Sequence, residues 1–204
     1  EGLSATIQKV YEKISTKVKK HIEVNASRIM EKENKDTTQQ IEKMVHAFFI
    51  NPPKKQPLVS IVILTRDGLE HIERLFKAIK ENTHYKKFEI IVVDNASADE
   101  TVKFLENNIY KFNLKIIKNS ENETFSYANN QAVKIAKGKY ILLLNNDTQP
   151  LKGWLCALVN TIEQDENIGS VGSKLIYPYK NKFSNSCTIQ HAGIAFRYEG
   201  SFIR

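Results

Sequence analysis

Three short polar clusters, Thr65-Arg66-Asp67, Asp94-Asn95-Ala96-Ser97 and Asn145-Asn146-Asp147-Thr148, each directly follow an apolar run. Groups of this kind can hold a divalent cation through one or two carboxylates, with phosphate oxygens and water completing the shell. The first loop lacks a Gly-x-Gly-x-x-Gly, and no Gly-Lys-Ser/Thr loop occurs anywhere in the sequence. A phosphate is therefore not gripped by backbone amides alone, and Asp147 is the best placed carboxylate for a cation. No activated nucleophile accompanies them: no partner arrangement surrounds Cys187, and His191 reads as a histidine hydrogen-bonded to backbone in a turn or strand.

The runs before the clusters define the elements. Leu58 to Leu64 and Phe88 to Val93 are continuous, β-branched and apolar, as buried parallel strands are. Helical spacing follows each: Ile72, Leu75, Phe76 and Ile79 after the first, Val102, Leu105 and Ile109 after the second. Leu114 to Ile117 forms a third strand, Tyr127 to Lys137 a third helix capped by Gly138, and Tyr140 to Leu144 a fourth strand. Strands alternating with helices imply an α/β domain with a mostly parallel sheet and helices on both faces. The three clusters then share the carboxyl edge, where such sheets bind ligands. Singly each suits capping of the next helix, but three at one edge point to a site. Trp154 and Leu155 are expected as core or pocket-floor contacts.

Upstream, residues 1–50 form a helical extension. Ile7, Val10, Ile14, Val18 and Ile22 make one amphipathic stripe; Ile41, Met44, Val45, Phe48 and Phe49 make another before Pro52 and Pro53. Residues 51–57 are a proline-rich linker and 58–204 the α/β domain. Residues 1–57 carry 11 Lys and Arg against 7 Asp and Glu, and residues 58–204 carry 19 against 16, so the basic excess is denser in the extension. The helices are expected to dock on the domain or on a neighbouring part of a longer protein, or else to meet a membrane surface or form a short coiled coil. No zinc spacing, aromatic RNA-binding pattern or Arg-rich arm occurs, so nucleic acid is not an expected partner. With 204 residues, 41% hydrophobic, and no apolar run near the length of a membrane helix, the chain reads as soluble. Two cysteines make no disulfide framework, and a cytoplasmic location is expected, peripheral at the inner membrane face if the extension binds lipid.

The succession Val59 to Thr65, Ile91 to Ser97, Tyr127-Ala128-Asn129-Asn130-Gln131-Ala132 and Tyr140 to Thr148 resembles family 2 glycosyltransferases with the GT-A fold. Gly172 to Pro178 and Thr188 to Gly193 are similar to a block that follows the metal motif in bacterial members building surface polysaccharide. The resemblance covers about residues 58–200. It implies a nucleotide pocket of Thr65, Arg66, Asp67, Asn95, Ser97 and Asn130, with Asp94 accepting a hydrogen bond from the ring N–H of uracil or thymine. It also implies Asn146 near the ribose or diphosphate and Asp147 on Mn²⁺ or Mg²⁺. The neutral Asn145 and Asn146 depart from the commoner Asp-x-Asp, so metal and nucleotide are expected to bind together.

The implied reaction moves a sugar, with inversion, from a UDP- or dTDP-sugar to a polysaccharide or lipid-linked acceptor. The family's base lies farther past the metal motif than this chain extends, so it is expected beyond residue 204 and the C-terminal part of the domain is expected to be missing. Two other readings stand beside it. One is a non-catalytic nucleotide-binding or interaction module; the other is a nucleotidyltransferase, which would ordinarily show a glycine-rich basic loop where Thr65-Arg66-Asp67-Gly68 stands.

Overall fold

The computed structural model describes residues 51–53, 55–180 and 187–191, the last group and residues 176–180 by backbone only. The two amphipathic stripes of residues 1–50 lie outside the described residues. Eleven elements follow in order: β1 (Val59–Thr65), α1 (Leu69–Asn82), β2 (Phe88–Asn95), α2 (Thr101–Glu106), α3 (Ile109–Phe112), β3 (Leu114–Asn119), α4 (Phe125–Ile135), β4 (Tyr140–Leu143), α5 (Trp154–Ile162), β5 (Leu175–Lys180) and β6 (Cys187–His191). Strands β1 to β4 form one sheet in the order β3-β2-β1-β4. All its pairings are parallel, so the four carboxyl ends share one edge. The expected α/β architecture is thus the one observed.

Alternation along the strands divides the core into two layers. On one face Val62, Ile91 and Val93 meet Ala128 and Ala132, and these small side chains let α4 lie close to the sheet. The other set, Ile61, Ile63, Ile90 and Val92, is equally buried. Helix α1 buries Ile72, Leu75, Phe76 and Ile79. Phe76 meets Phe104 and Phe112 edge to face, with ring centroids 5.9 and 4.8 Å apart. Burying each of these large side chains contributes about 1.5–3 kcal/mol.

Three local expectations are corrected. The helix after β2 breaks into α2 and α3 around Asn107 and Asn108, and Asn113 ends α3 in a left-handed conformation (φ 47°). Helix α4 starts and stops two residues earlier than its apolar pattern suggests. Thr124 caps it, its hydroxyl accepting from the Tyr127 amide at 3.4 Å, and Ala136 is already extended. Gly138 is therefore no helix cap. It lies against β1, where a Cβ would fall 2.5 Å from the Ser60 nitrogen.

That contact belongs to a buried polar knot at the amino edge of the sheet. Glu89 accepts from the Ser60 hydroxyl, the Lys115 ammonium and the Lys137 amide, each at 2.7 Å. The Gly138 amide donates to the Ser60 hydroxyl at 2.8 Å. Burial alone would raise the Glu89 pKa, but Lys115, Ser60 and Lys137 outweigh it and hold the carboxyl below its ordinary value.

The sheet belongs to a unit running to Ala157; from Leu158 onward the described chain forms a second unit. Within the second, β5 and β6 pair antiparallel, with Leu175 opposite His191.

Candidate functional site

The carboxyl ends of β1 and β2 place Thr65 and Asp94 side by side in register. Both are buried, at 2% exposure. Asp94 Oδ2 accepts from the Ser97 amide at 3.1 Å, whereas Asp94 Oδ1 is buried without a partner. An unpaired buried oxygen costs about 1–3 kcal/mol, more when charged, and its natural complement is a donor brought by a ligand.

The loops leaving the two strands clasp each other. The Asp67 amide donates to the Ser97 hydroxyl at 2.9 Å, and the Ala98 amide returns a bond to Asp67 Oδ1 at 2.6 Å. Asp99 Oδ2 accepts from Leu69 at 3.2 Å, and its Oδ1 from Thr101 at 3.0 Å. Burial pushes the Asp99 pKa up, but hydrogen bonds led by those of Thr101 prevail and lower it. The turns require left-handed backbone at Asp67 (φ 45°) and Ala96 (φ 62°), unusual for side-chain-bearing residues.

One residue on, Asn95 points to the opposite face and is spent on holding a third loop. Its Nδ2 donates to Asn122 Oδ1 and to the Glu123 carbonyl, both at 2.8 Å, and its Oδ1 accepts from Asn119 and the Glu123 amide, both at 3.0 Å. Between this loop, the start of α4 and the ends of β1 and β4 lies a cavity of about 360 Å³. Leu64, Phe125, Leu143 and Leu144 supply its apolar lining; Arg66, Asn122, Glu123 and Asn129 supply much of its polar lining.

At the end of β4 the chain turns sharply, with the Thr148 hydroxyl donating to the Asn145 carbonyl at 2.7 Å. Asn146 Nδ2 donates to Thr65 Oγ1 at 3.0 Å, tying this turn to β1. Gly68 permits that approach: a Cβ there would lie 2.9 Å from both of those atoms. The neighbouring Asp147 carboxylate is exposed. Among the described residues no three His, Cys, Asp or Glu side chains gather to cage a metal. One exposed carboxylate still fits a hard cation whose remaining ligands are phosphate oxygens and water.

Of the residues singled out in the sequence, Thr65, Arg66, Asn95 and Asn146 line this cavity. Asp67, Ser97 and Asp94 belong to the paired loops beside it. Asn130 is exposed on α4, one position after the cavity-lining Asn129, and Asp147 is exposed next to Asn146. Trp154 is no pocket floor; its indole donates to Thr83 Oγ1 at 2.9 Å, and Leu155 is core. The side chain of His191 lies outside the described residues. The third loop was missed, although Asn119 to Thr124 is a further polar cluster after a strand and the rule that exposed the others applies to it.

Comparison with known proteins finds a matching family and several relatives. Residues 60–201 match the family described as Glycosyl transferase family 2. The O-antigen biosynthesis protein RfbC of Myxococcus xanthus is 32% identical over 153 residues, 73% of this chain and 11% of that protein. An uncharacterised protein of Sinorhizobium fredii is 34% identical over 152 residues, 73% of this chain and 16% of that protein, so the chain spans a small part of both relatives. The Escherichia coli enzyme WfaP, a UDP-Glc:alpha-D-GlcNAc-diphosphoundecaprenol beta-1,3-glucosyltransferase, is 37% identical over 90 residues, 44% of this chain and 35% of its own length. Among solved structures, the mannosyltransferase PcManGT of Pyrobaculum calidifontis, in complex with GDP-Man and Mn²⁺, superposes with a TM-score of 0.50 at 25% identity. It covers 54% of this chain and 34% of its own.

Proposed function

The chain belongs to glycosyl transferase family 2, with a GT-A fold, and from that membership we propose that it binds the nucleotide-sugar donor of an inverting, metal-assisted sugar transfer. The observation that carries this reading is Asp94, whose buried, partnerless Oδ1 sits beside Thr65 at the carboxyl edge. A carboxylate only accepts, so it favours a base that presents a ring N–H, as uracil and thymine do and cytosine does not. Arg66, at the cavity wall, faces the negative charge of the diphosphate.

Asp147 would hold Mn²⁺ or Mg²⁺, with Asn146 near the ribose or diphosphate. When bound, the cation offsets charge developing on the departing diphosphate. One carboxylate binds a free cation weakly, so cation and nucleotide arrive together. The Mn²⁺ in the name of the mannosyltransferase complex supports the choice of metal.

The acceptor in this reading is a growing polysaccharide or a lipid-linked sugar. Its support is the naming of relatives for O-antigen biosynthesis and for transfer to a diphosphoundecaprenol-linked sugar. In this reading the donor is drawn from the cytoplasm and the transfer runs there, at the inner membrane face when the acceptor is a lipid. Among the described residues no helix is long and apolar enough to cross a membrane. The test is base selectivity: competition of UDP, dTDP, GDP and CDP for the chain in the presence of Mn²⁺. UDP or dTDP should bind at least about tenfold tighter than CDP, one lost charge-assisted hydrogen bond being worth about 1.5–3 kcal/mol. Equal affinity for CDP would remove Asp94 from base recognition, and a preference for GDP would replace the pyrimidine by guanine, which also presents a ring N–H.

A further inference from the structure

One buried polar side chain of the cavity wall has no part in the donor site proposed above. Asn129 of α4 is only 6% exposed, yet it lines the cavity. Its Nδ2 donates to the Phe125 carbonyl, one turn earlier, at 2.8 Å. A backbone carbonyl only accepts, so this bond fixes which end of the carboxamide is which: the nitrogen is spent and Oδ1 is the free end. Among the described residues Oδ1 has no hydrogen-bond partner.

A second carboxamide of the same cavity is oriented just as firmly. The Glu123 amide and carbonyl fix the two ends of Asn95, and Asn95 Nδ2 also donates to Asn122 Oδ1 at 2.8 Å. The free end of Asn122 is therefore Nδ2, a donor. A free acceptor and a free donor in one cavity suit a hydroxyl, which both donates and accepts. Phosphate oxygens, which only accept, would be repelled by Asn129 Oδ1.

We propose that Asn129 is a specificity-determining residue that accepts a hydrogen bond from a ribose hydroxyl of the donor nucleotide. The inference rests on the donor site proposed above, in which the base lies at Asp94 and the diphosphate, with its cation, at Asp147. Thr65 stands in register with Asp94, and Asn146 is the neighbour of Asp147. These two are hydrogen-bonded at 3.0 Å, and both line the cavity. The cavity thus lies between the two ends of the bound nucleotide, and the part of a nucleotide that joins base to diphosphate is the ribose. Leu64, Phe125 and Leu143 offer apolar surface to the C–H groups of the sugar ring. Asn129 Oδ1, held in place from within its own helix, meets a hydroxyl without further ordering. A nucleotide that lacks this hydroxyl leaves the oxygen both shielded from water and unpaired.

Competition binding on the whole chain in the presence of Mn²⁺ tests this, with UDP, 2′-deoxy-UDP, 3′-deoxy-UDP and CDP as ligands and Asn129→Ala beside the wild type. The wild type should bind at least one deoxy analogue about five- to tenfold more weakly than UDP. Asn129→Ala should bind that analogue and UDP equally, while its ratio of UDP to CDP affinity stays that of the wild type, because the base is read by Asp94. Alanine is the best helix former and replaces a side chain bonded only within its own helix, so α4 should persist. Equal affinity of the wild type for UDP and both deoxy analogues overturns the proposal without recourse to a variant. So does a deoxy penalty that survives in Asn129→Ala, or an Asn129→Ala chain whose base ratio changes or whose binding is abolished, since Asn129 would then serve the base or the fold. A wild type that shows the deoxy penalty but binds CDP as well as UDP would overturn the base assignment at Asp94 and leave the ribose contact standing.

Discussion

At the residue scale, the site rests on polar groups whose hydrogen-bond capacity is either spent or conspicuously unspent. Asn95 and Asp94 are adjacent and look equivalent in the sequence, yet Asn95 makes four hydrogen bonds within the protein while Asp94 keeps one buried oxygen free. Sequence patterns identify that both lie at a strand end; only the alternation of faces and the course of the third loop separate their tasks. Asp94→Asn should therefore weaken the preference for uracil over cytosine in nucleotide competition, with a melting temperature unchanged or raised, since the unpaired charge is removed. Asp147→Ala should abolish the Mn²⁺-dependent part of nucleotide binding and leave the circular dichroism spectrum intact, because this carboxylate is exposed and supports no core contact. An unfolded Asp147→Ala variant would make the residue structural.

At the element scale, strand identity was legible because continuous β-branched runs bounded by polar turns have few alternatives. Helix ends were less so. The apolar period of α4 continues past Ile135, yet the helix ends there, and just beyond it the Gly138 amide bonds Ser60, a contact between residues 78 positions apart. Gly138→Ala should cost at least about 1–3 kcal/mol, since backbone must shift to admit the Cβ, as denaturant unfolding would show. The adjoining Glu89 was invisible as a polar core residue because it sits inside an apolar strand. Its pKa is lowered on folding, so its contribution to stability is fully present above the ordinary carboxylate range and is lost as pH falls through the lower native value. Glu89→Gln should destabilise at pH 7 by about 1–3 kcal/mol. The difference from wild type should shrink progressively below about pH 4.5, whereas a gap independent of pH would leave packing rather than charge as the cause.

At the scale of the whole molecule, one physical regularity converts the sequence into a site: four parallel strands must deliver the loops that follow them to one edge. The order β3-β2-β1-β4 then brings the ends of β1, β2 and β4 together around one cavity. What the pattern could not supply was the floor of that cavity, which comes from α4 and the loop before it. Occupied donor sites stabilise folded chains by mass action, about 2.7 kcal/mol at a hundredfold excess over the dissociation constant. UDP with Mn²⁺ should accordingly raise the melting temperature while Mn²⁺ alone leaves it unchanged.

The most direct measurement is a calorimetric titration of the chain with UDP and with dTDP, each in the presence and absence of Mn²⁺. Saturable binding that depends on the metal and disappears in Asp147→Ala is the expected result. Binding of neither nucleotide under any condition, or binding indifferent to Mn²⁺ and to Asp147, would contradict a metal-assisted donor site and leave the interaction-module reading in its place.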